Sequence, residues 1–342
     1  MRGRRVTIGL PIPGRMAAAY GYFAAAAALG YDRAEDLEFD FIYPDEPGAT
    51  ARALAAGRCD FAPLNTTVGL MAREENLPLR AVYSMSRRTH RWFAVCPDSP
   101  IASLRELGGK SIACDFPHLQ PLAEAALAEE GVSRDEFTWV PWRGSGMEAG
   151  KMIEPLRSGA VDAVFLIDWN DGDFIAEGFP LRRLPSLALD RIRTTSCLWL
   201  ASPAVEADAG LVGGVGRALA RVTVFALENP AAIVEAMWER CPDTRPSPAD
   251  RARELRRGVE IVRARLDTLR LDGTTGPRWG AMTAPEFVDW QDFLLASGAI
   301  RRRLPPQVYF NASFTDRFND FDAAAVVAQA RATGATSEPP RS

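Results

Sequence analysis

Along the first 200 residues, hydrophobic positions switch repeatedly between a strand-like period of two and a helix-like period of three to four. Residues 6–10 and 37–43 have the pattern of strands, and residues 17–29 form an alanine-rich helical stretch that stops at Gly30. Strands that alternate with helices are typical of a mainly parallel sheet with helices packed outside it. The first half of the chain is therefore predicted to have an α/β fold.

A second unit of the same kind follows after residue 100, and the chain then becomes helical. Apolar spacing predicts further strands at 110–114, 138–141 and 160–167. Beyond Pro203, helical spacing is found in the stretches 211–227, 230–240, 248–271 and 284–297. Residues 323–342 are expected to form a C-terminal tail with a disordered end.

One sequence pattern occurs once in each unit. The spacing Leu-x-x-Gly-x-x-Asp spans residues 54–60 and again residues 156–162, each time just before a predicted strand. A glycine in the left-handed conformation ends a helix, and an aspartate turns the chain into the strand. The repetition indicates two lobes of related architecture.

Composition excludes several classes of protein. A length of 342 residues suits two lobes, and 47% hydrophobic with 25% charged residues is typical of a soluble globular protein. The net charge of −4 argues against a nucleic-acid partner. Apolar runs such as residues 24–28 are far shorter than the roughly 18 residues of a membrane span.

Cysteine and histidine usage gives no sign of a metal, cofactor or disulfide framework. The five cysteines are scattered without a Cys-x-x-Cys pair, and there are two histidines. Buried free thiols are expected, and no cofactor or metal is predicted. The basic residues 1–5 are not followed by the apolar core of a secretory signal, so the protein is periplasmic if a signal was removed and otherwise cytoplasmic.

Several segments resemble the substrate-binding proteins of ABC transporters for taurine, alkanesulfonates, nitrate and thiamin-pyrimidine precursors. The most specific is DSPIASLRELGGKSI at residues 98–112, and ALAAGRCDFA at residues 53–62 is also similar. Weaker matches lie at residues 21–23, 74–79 and 304–309. The resemblance covers roughly residues 6 to 320.

The resemblance implies a type II periplasmic-binding-protein fold, with two α/β lobes joined by two hinge strands and a helical C-terminal part. The first lobe would hold residues 1–94 and 200–322, and the second lobe residues 95–199. The hinge strands would lie at residues 91–96 and 195–201.

The same superfamily contains enzymes, but their catalytic residues are not matched here. The histidine and the pyridoxal-phosphate lysine of the fungal thiamin-pyrimidine synthase align with Val68 and Leu64, and its cysteine-dense segment retains only Cys197. The aromatic sulfinate desulfinase has a nucleophilic cysteine after its first strand, whereas residues 10–14 contain no thiol. No catalytic residue is therefore assigned.

Ligands of open α/β sheets bind beyond the carboxyl ends of the strands, where helix N-termini offer free N–H groups. Polar residues at such positions are the candidate ligand contacts. In the first lobe they are Arg15, Met16, Thr50, Asn65, Thr66 and Thr67. In the second lobe they are Asp115, His118, Arg143, Ser145, Asp168 and Trp169.

Each candidate also has a purely structural interpretation. A threonine after Asn65 can simply cap a helix, residues 143–146 can form a flexible turn, and residues 168–171 can form an Asx-rich turn with an exposed tryptophan. The basic run at residues 87–91 is expected to be a solvated face. Arginines favour an anionic ligand and aspartates favour a cation or amine, so the charge of the ligand stays open.

The sequence thus predicts a solute-binding protein that closes its lobes on a small polar organic molecule, such as a sulfonate, a carboxylate or a pyrimidine-like compound. Its partners would be that molecule and an ABC permease. The alternative is a cytoplasmic enzyme on the same fold that acts on a small aromatic or heterocyclic metabolite. Its candidate groups are His118, Asp168 and Cys114.

Overall fold

The computed structural model describes residues 3–10, 22–44, 49–144, 148–271 and 278–333. Strands β1 to β10 are Arg4–Gly9, Leu37–Ile42, Ala62–Asn65, Arg80–Ser86, Arg91–Val95, Ser111–Cys114, Thr138–Val140, Ala163–Ile167, Arg182–Arg183 and Ser196–Leu200. Helices α1 to α7 are Tyr22–Ala28, Ala49–Ala55, Thr66–Glu74, Gln120–Glu129, Ile153–Arg157, Asp168–Ala176 and Leu187–Arg191. Helices α8 to α14 are Pro203–Ala207, Ala209–Glu228, Pro230–Arg240, Arg251–Leu269, Ala284–Ala296, Thr315–Phe318 and Ala323–Ala332.

The strands form two five-stranded sheets, one in each lobe, with equivalent arrangements of strands. In the first lobe, β1 pairs with β2, and a bridge from Ile8 to Phe61 joins them to β3-β10-β4, which gives the order β2-β1-β3-β10-β4. In the second lobe the order is β7-β6-β8-β5-β9. In each sheet, one strand follows directly after the chain has crossed over from the other lobe. This strand is β10 in the first lobe and β5 in the second, and it is antiparallel to its neighbours. This is the predicted type II periplasmic-binding-protein fold, and the predicted α/β class is confirmed.

The repeated Leu-x-x-Gly-x-x-Asp pattern performs the same task in both lobes. Gly57 and Gly159 have φ angles of 69° and 73°, which an L side chain rarely adopts. The Asp60 carboxylate accepts the backbone N–H of Thr7 at 2.8 Å, and Asp162 accepts that of Ser111 at 2.8 Å. Asp60 thus joins the start of β3 to the middle of β1, and Asp162 joins the start of β8 to the start of β6.

The chain passes between the sheets at residues 87–90 and 192–195. Both crossing segments precede the strands expected to form the hinge, because β5 and β10 each belong entirely to one sheet. Backbone hydrogen bonds join the crossing segments to the lobes. The N–H of Thr195 donates to the carbonyl of Ser86 at 3.0 Å, and the N–H of Asp168 donates to the carbonyl of His90 at 2.9 Å.

Two helix pairs also connect the lobes. Helix α11, which packs on α9 and α10 in the first lobe, lies against α6 of the second lobe, and α12 contacts both α3 and α4. A hydrophobic cluster continues through this region, from Trp199 and Trp290 in the first lobe to Phe93 and Phe165 in the second. The lobes are therefore in contact, and the boundary between them is called the seam below.

Two helices differ from the sequence prediction. Residues 168–176 form α6, where a turn was one interpretation of the acidic stretch. The tail after residue 322 begins with helix α14, whose Val326 and Ala330 are buried against the first lobe. A tail was predicted because the segment ends in Ala, Thr, Glu, Pro and Ser, and the short helical stretch AAAVVAQARA at its start was not considered separately.

Helix α9 is long and apolar enough to cross a membrane by length and composition alone. However, 78% of its apolar stretch is buried inside the protein. Its contacts with α1, α10 and α14 place it in the core of the first lobe.

Candidate functional site: the seam between the lobes

The seam is lined by residues that follow the carboxyl ends of strands in both lobes. Asn65 ends β3, Asp115 follows β6, and Asp168 follows β8 and begins α6. The crossing segments lie between them. Most of the predicted contacts that the structure describes are therefore at one boundary.

Asp115 organises the second-lobe side of the seam. Its carboxylate accepts from Arg91 Nη1 at 2.8 Å, from the backbone N–H of Ile167 at 2.9 Å and from Asn170 Nδ2 at 2.9 Å. Arg91 and Asp115 are almost completely buried, and the Arg91 guanidinium lies 5.5 Å from the centre of the Phe116 ring. A buried carboxylate with three donors is well compensated and holds Arg91 in place.

Asp168 connects the two lobes. Its Oδ2 lies 3.2 Å from Arg265 Nε on α11, without the alignment of a hydrogen bond, and 3.4 Å from Thr268 Oγ1. Burial raises the pKa of the Asp168 carboxyl, and the Arg265 charge opposes this rise. The Arg265 guanidinium also lies 5.3 Å from the centre of the Trp169 ring. The first turn of α6 therefore contacts α11 through an ion pair and a cation–π contact.

A second ion pair and a close helix contact lie further along α6. Arg257 on α11 donates to both carboxylate oxygens of Asp173, at 2.9 Å for Nη2 to Oδ2. At Gly172, an added Cβ would lie 2.7 Å from the Glu260 carbonyl oxygen and from Ile261 Cα. Only glycine allows the two helix backbones to approach this closely.

The candidates at the start of α3 have different environments. The Thr66 hydroxyl donates to the carbonyl oxygen of Thr194 and is therefore occupied by a structural bond. Asn65 and Thr67 line a small cavity whose opposite wall contains Leu119 and Leu122 of the second lobe. Thr50 is buried in the first turn of α2.

The cavity beside Asn65 has a volume of about 20 Å³, room for about one water molecule. His90 lies in its wall. The Thr195 hydroxyl donates to the carbonyl of Arg88 at 2.8 Å, so His90 Nδ1, 2.6 Å from that hydroxyl oxygen, acts as the donor. His90 Nε2 is then an acceptor, and it has no hydrogen-bond partner among the described residues. Burial lowers the pKa of His90, and the Arg265 and Arg91 charges lower it further, so the ring is neutral.

Four of the predicted contacts are not described by the structure. Arg15, Met16 and Ser145 lie outside the described residues, as does the side chain of His118. A fifth candidate, Arg143, is exposed three residues after the end of β7.

The expectation of a solvated basic face at residues 87–91 is wrong. Arg87, His90 and Arg91 are each less than 5% exposed, and of the run's charged members only Arg88 is exposed. The run crosses between the lobes, and its buried arginines are held by protein groups: Arg87 donates to the carbonyl of Ala281, and Arg91 pairs with Asp115. Sequence reasoning also missed Arg265. A helical signal was present, because Arg265 lies seven residues after Gly258, three after Val262 and four before Leu269, all on the buried face of α11.

Buried free thiols were expected, and Cys59, Cys114 and Cys197 are buried, whereas Cys96 and Cys241 are half-buried. All five are unpaired, and burial raises the pKa of Cys59 to about 11 and of Cys114 and Cys197 to about 12. The Cys114 Sγ–H donates to the carbonyl of Phe116 at 3.2 Å. These thiols stay protonated at neutral pH and are poor nucleophiles. Within the described residues, no group of His, Cys, Asp and Glu side chains could hold a metal ion.

Comparison with protein families gives a match to the NMT1/THI5-like family over residues 18–233, well over half of the chain. The chain belongs to the NMT1/THI5-like family. No curated protein matches it significantly. The resemblance drawn from the sequence motifs is thereby confirmed at the level of the family.

Solved structures support the same fold for this NMT1/THI5-like protein. The alkanesulfonate-binding protein SsuA from Xanthomonas axonopodis pv. citri, bound to MOPS, is 16% identical with a TM-score of 0.62, covering 92% of this chain and all of that one. The aliphatic sulphonate-binding SsuA from Escherichia coli is 15% identical with a TM-score of 0.63, covering 89% and 91%. The desulfurization enzyme DszB is also similar, at 16% identity and a TM-score of 0.60, covering 93% and 99%.

Proposed function

We propose that this NMT1/THI5-like protein is a solute-binding protein that closes two lobes on a small polar organic molecule, a sulfonate, a carboxylate or a pyrimidine-like compound. The observation that carries the proposal is the seam, where both lobes present buried polar side chains at the carboxyl ends of their strands. Such positions bind ligands in this class of α/β fold. The sulfonate-binding proteins among the similar structures support the same assignment.

Closure follows from the connections between the lobes. The boundaries expected from the sequence, 94/95 and 199/200, fall inside β5 and β10, and each of these strands belongs to one sheet. The two lobes would therefore divide, and bend, at the crossing segments 87–90 and 192–195 instead. The contacts of α11 with α6 belong to the closed form, because Arg257 and Arg265 lie on the first lobe and their aspartate partners lie on the second. A solute that touches both lobes stabilises the closed form by its differential affinity.

In an uptake role, the closed, loaded protein docks on an ABC permease and delivers its cargo. This assigns the protein to the periplasm, where the similar E. coli sulphonate-binding protein is found. The permease and the periplasmic location rest on these structural relatives and are part of the proposal.

Catalysis on the same fold is the alternative, favoured by the similarity to DszB. The described residues argue against it. Cys114 is a protonated, buried thiol, and Asp168 is engaged by Arg265 and Thr268. A binding protein returns its solute unchanged, so NMR spectra of a bound compound over hours separate the two functions.

Isothermal titration of the full chain tests binding, with a panel of sulfonates, carboxylates and pyrimidines. We expect at least one compound to bind with one-to-one stoichiometry. If no member of the three classes binds, the proposal is wrong.

A matched pair of variants on α11 tests closure. Arg257→Met removes the ion pair to Asp173 across the seam, and we expect it to weaken binding of the best compound several-fold, because the closed form becomes less populated. Arg253→Met, one turn earlier, removes an exposed arginine whose partners lie in its own lobe, and it should leave the affinity unchanged. Equal effects of the two changes would contradict closure at this contact.

A further inference from the structure

A second cavity lies on the first-lobe side of the seam, directly beside Arg265. Its volume is about 20 Å³, which admits a group the size of about one water molecule, such as a single oxyanion oxygen, rather than a whole organic molecule. The polar groups of its wall are Tyr22, Tyr83, Ser86, Ser196, Thr223 and Arg265. Its apolar wall is formed by Met85, Leu219 and Leu269.

The two phenols are the informative part of this wall. Tyr22 begins α1 and Tyr83 lies in the middle of β4, and each is 3% exposed. Neither hydroxyl has a hydrogen-bond partner among the residues described. A buried hydroxyl without a partner is unfavourable, and two that line one cavity call for an acceptor inside it.

The charges around the cavity favour an anionic acceptor. Burial raises the pKa of both phenols, so both remain protonated donors, and this rise is opposed by Arg265 at Tyr22 and by Arg87 at Tyr83. At Tyr22 the influence of Arg265 exceeds that of Asp168. Each hydroxyl therefore lies close enough to a guanidinium group, Arg265 or Arg87, to be affected by its positive charge.

Arg265 can contact a group in the cavity and Asp168 of the second lobe at the same time. Its Nη1 donates to Ser86 Oγ in the cavity wall at 3.3 Å, while its Nε faces Asp168 at 3.2 Å. A guanidinium carries five N–H donors in a fixed plane, so an occupant of the cavity can bind without displacing Asp168.

We propose that this cavity is the subsite for one oxygen of the oxyanion head of the solute, a sulfonate or a carboxylate, held by the Tyr22 and Tyr83 hydroxyls and by Arg265. The inference rests on the proposed solute-binding function and narrows its ligand class to acids. Because Arg265 also contacts Asp168 and Trp169 of the second lobe, an occupied subsite fixes the side chain on which the closed form depends.

Removal of single hydroxyls tests the subsite. Tyr22→Phe and Tyr83→Phe each keep the ring and delete one donor. The probes are propanesulfonate and propionate, with propionamide as the uncharged counterpart, titrated calorimetrically into the full chain. We expect an acid to bind, propionamide to bind at least about ten-fold more weakly, and each variant to weaken acid binding about ten-fold or more, as loss of a hydrogen bond to a charged group requires.

The unliganded variants give a second measurement. Each deletes a hydroxyl that has no described partner, so their unfolding midpoints should equal or exceed that of the unchanged protein. Tyr31→Phe is the control, because its hydroxyl donates to Gln329 Oε1 at 2.8 Å far from the seam. It should lower the midpoint slightly and leave acid binding unchanged.

The outcomes separate the subsite from the function. If a compound of the wider panel binds and neither phenylalanine variant changes its affinity, the subsite is wrong and the solute-binding function stands. Equal binding of propionamide and propionate overturns the oxyanion assignment. If neither the three probes nor the panel bind, both proposals fail.

Discussion

Buried charges at the seam are held in pairs, and the pairs have unequal roles. Arg91 and Asp115 lie in the second lobe and are joined at 2.8 Å, whereas Arg265 and Asp168 come from different lobes. Breaking a buried pair on one side leaves an uncompensated charge, which costs far more than the loss of a surface pair. The first pair therefore stabilises a lobe, and the second stabilises the contact between lobes.

Asp115→Ala tests the internal pair. It leaves the Arg91 guanidinium buried without its carboxylate, so we expect the free energy of unfolding in urea to fall by about 3–5 kcal/mol. Glu154→Ala is the control, because Glu154 forms an exposed pair with Arg157, and its loss should cost at most about 1 kcal/mol. Similar losses for the two variants would show that the Arg91 pair is not stabilising.

The raised pKa of Asp171 makes the free energy of unfolding depend on pH, and the direction of the shift sets the sign. Burial, together with the Asp168 charge, raises the pKa of its carboxyl to about 6, above the usual value of 3.8. The folded protein then binds a proton more tightly than the unfolded chain, so the ionised carboxylate destabilises the fold above pH 6 and this loss is relieved as the pH falls towards 4.

Asp171→Asn should therefore be more stable than the unchanged protein at pH 8, by up to about 3 kcal/mol from a shift of about two units. The difference in unfolding free energy should shrink through pH 6 and vanish near pH 4. His90, whose pKa is lowered by burial, is present in both proteins and cancels in this difference. A difference that is constant from pH 4 to pH 8 would contradict the assignment.

At the scale of elements, the contact of α6 with α11 sets how closely the lobes meet. Gly172 lets the α6 backbone lie against Glu260 and Ile261, and the ion pairs of Arg257 and Arg265 lie on either side along α11. The remaining link, α12, contacts α3 in one lobe and α4 in the other. Motion of the lobes must therefore separate helix faces as well as bend the two crossings.

Gly172→Ala tests this packing. The added methyl group would lie 2.7 Å from backbone atoms of α11, which cannot move as a flexible side chain would. We expect a loss of about 1–3 kcal/mol in unfolding free energy, typical of overpacking. Gly150→Ala in the same lobe meets its nearest neighbour at 3.7 Å and should be neutral. If Gly172→Ala were equally neutral, α6 and α11 would not be in tight contact.

At the scale of the whole molecule, the fold could be predicted well from the sequence, because the alternation of patterns and the repeated Gly-x-x-Asp turns are local signals. The helix at residues 230–240 was predicted with its observed bounds, since Pro230 and Cys241-Pro242 bracket it. Helix α6 was harder to predict, because its acidic first turn also fits an Asx turn, and its partners on α11 lie some 90 residues away.

The candidate site was only partly predictable for the same reason. Asp115, Asp168 and Trp169 follow strands, so the topology alone drew attention to them. Tyr22, Tyr83 and Arg265 carry no such signal, because they lie within a helix or strand and acquire their role from contacts between distant elements. His90 and Arg91 were misjudged because a basic run usually faces water, whereas this one passes between two lobes.

Small-angle X-ray scattering of the full chain, with and without the tightest-binding acid of the panel, tests the central claim most directly. The account predicts that the solute reduces the radius of gyration, and that Arg257→Met enlarges the unliganded protein while Arg253→Met does not. Saturating binding with an unchanged radius of gyration, in the unchanged protein and in both variants, would contradict closure of the two lobes on a solute.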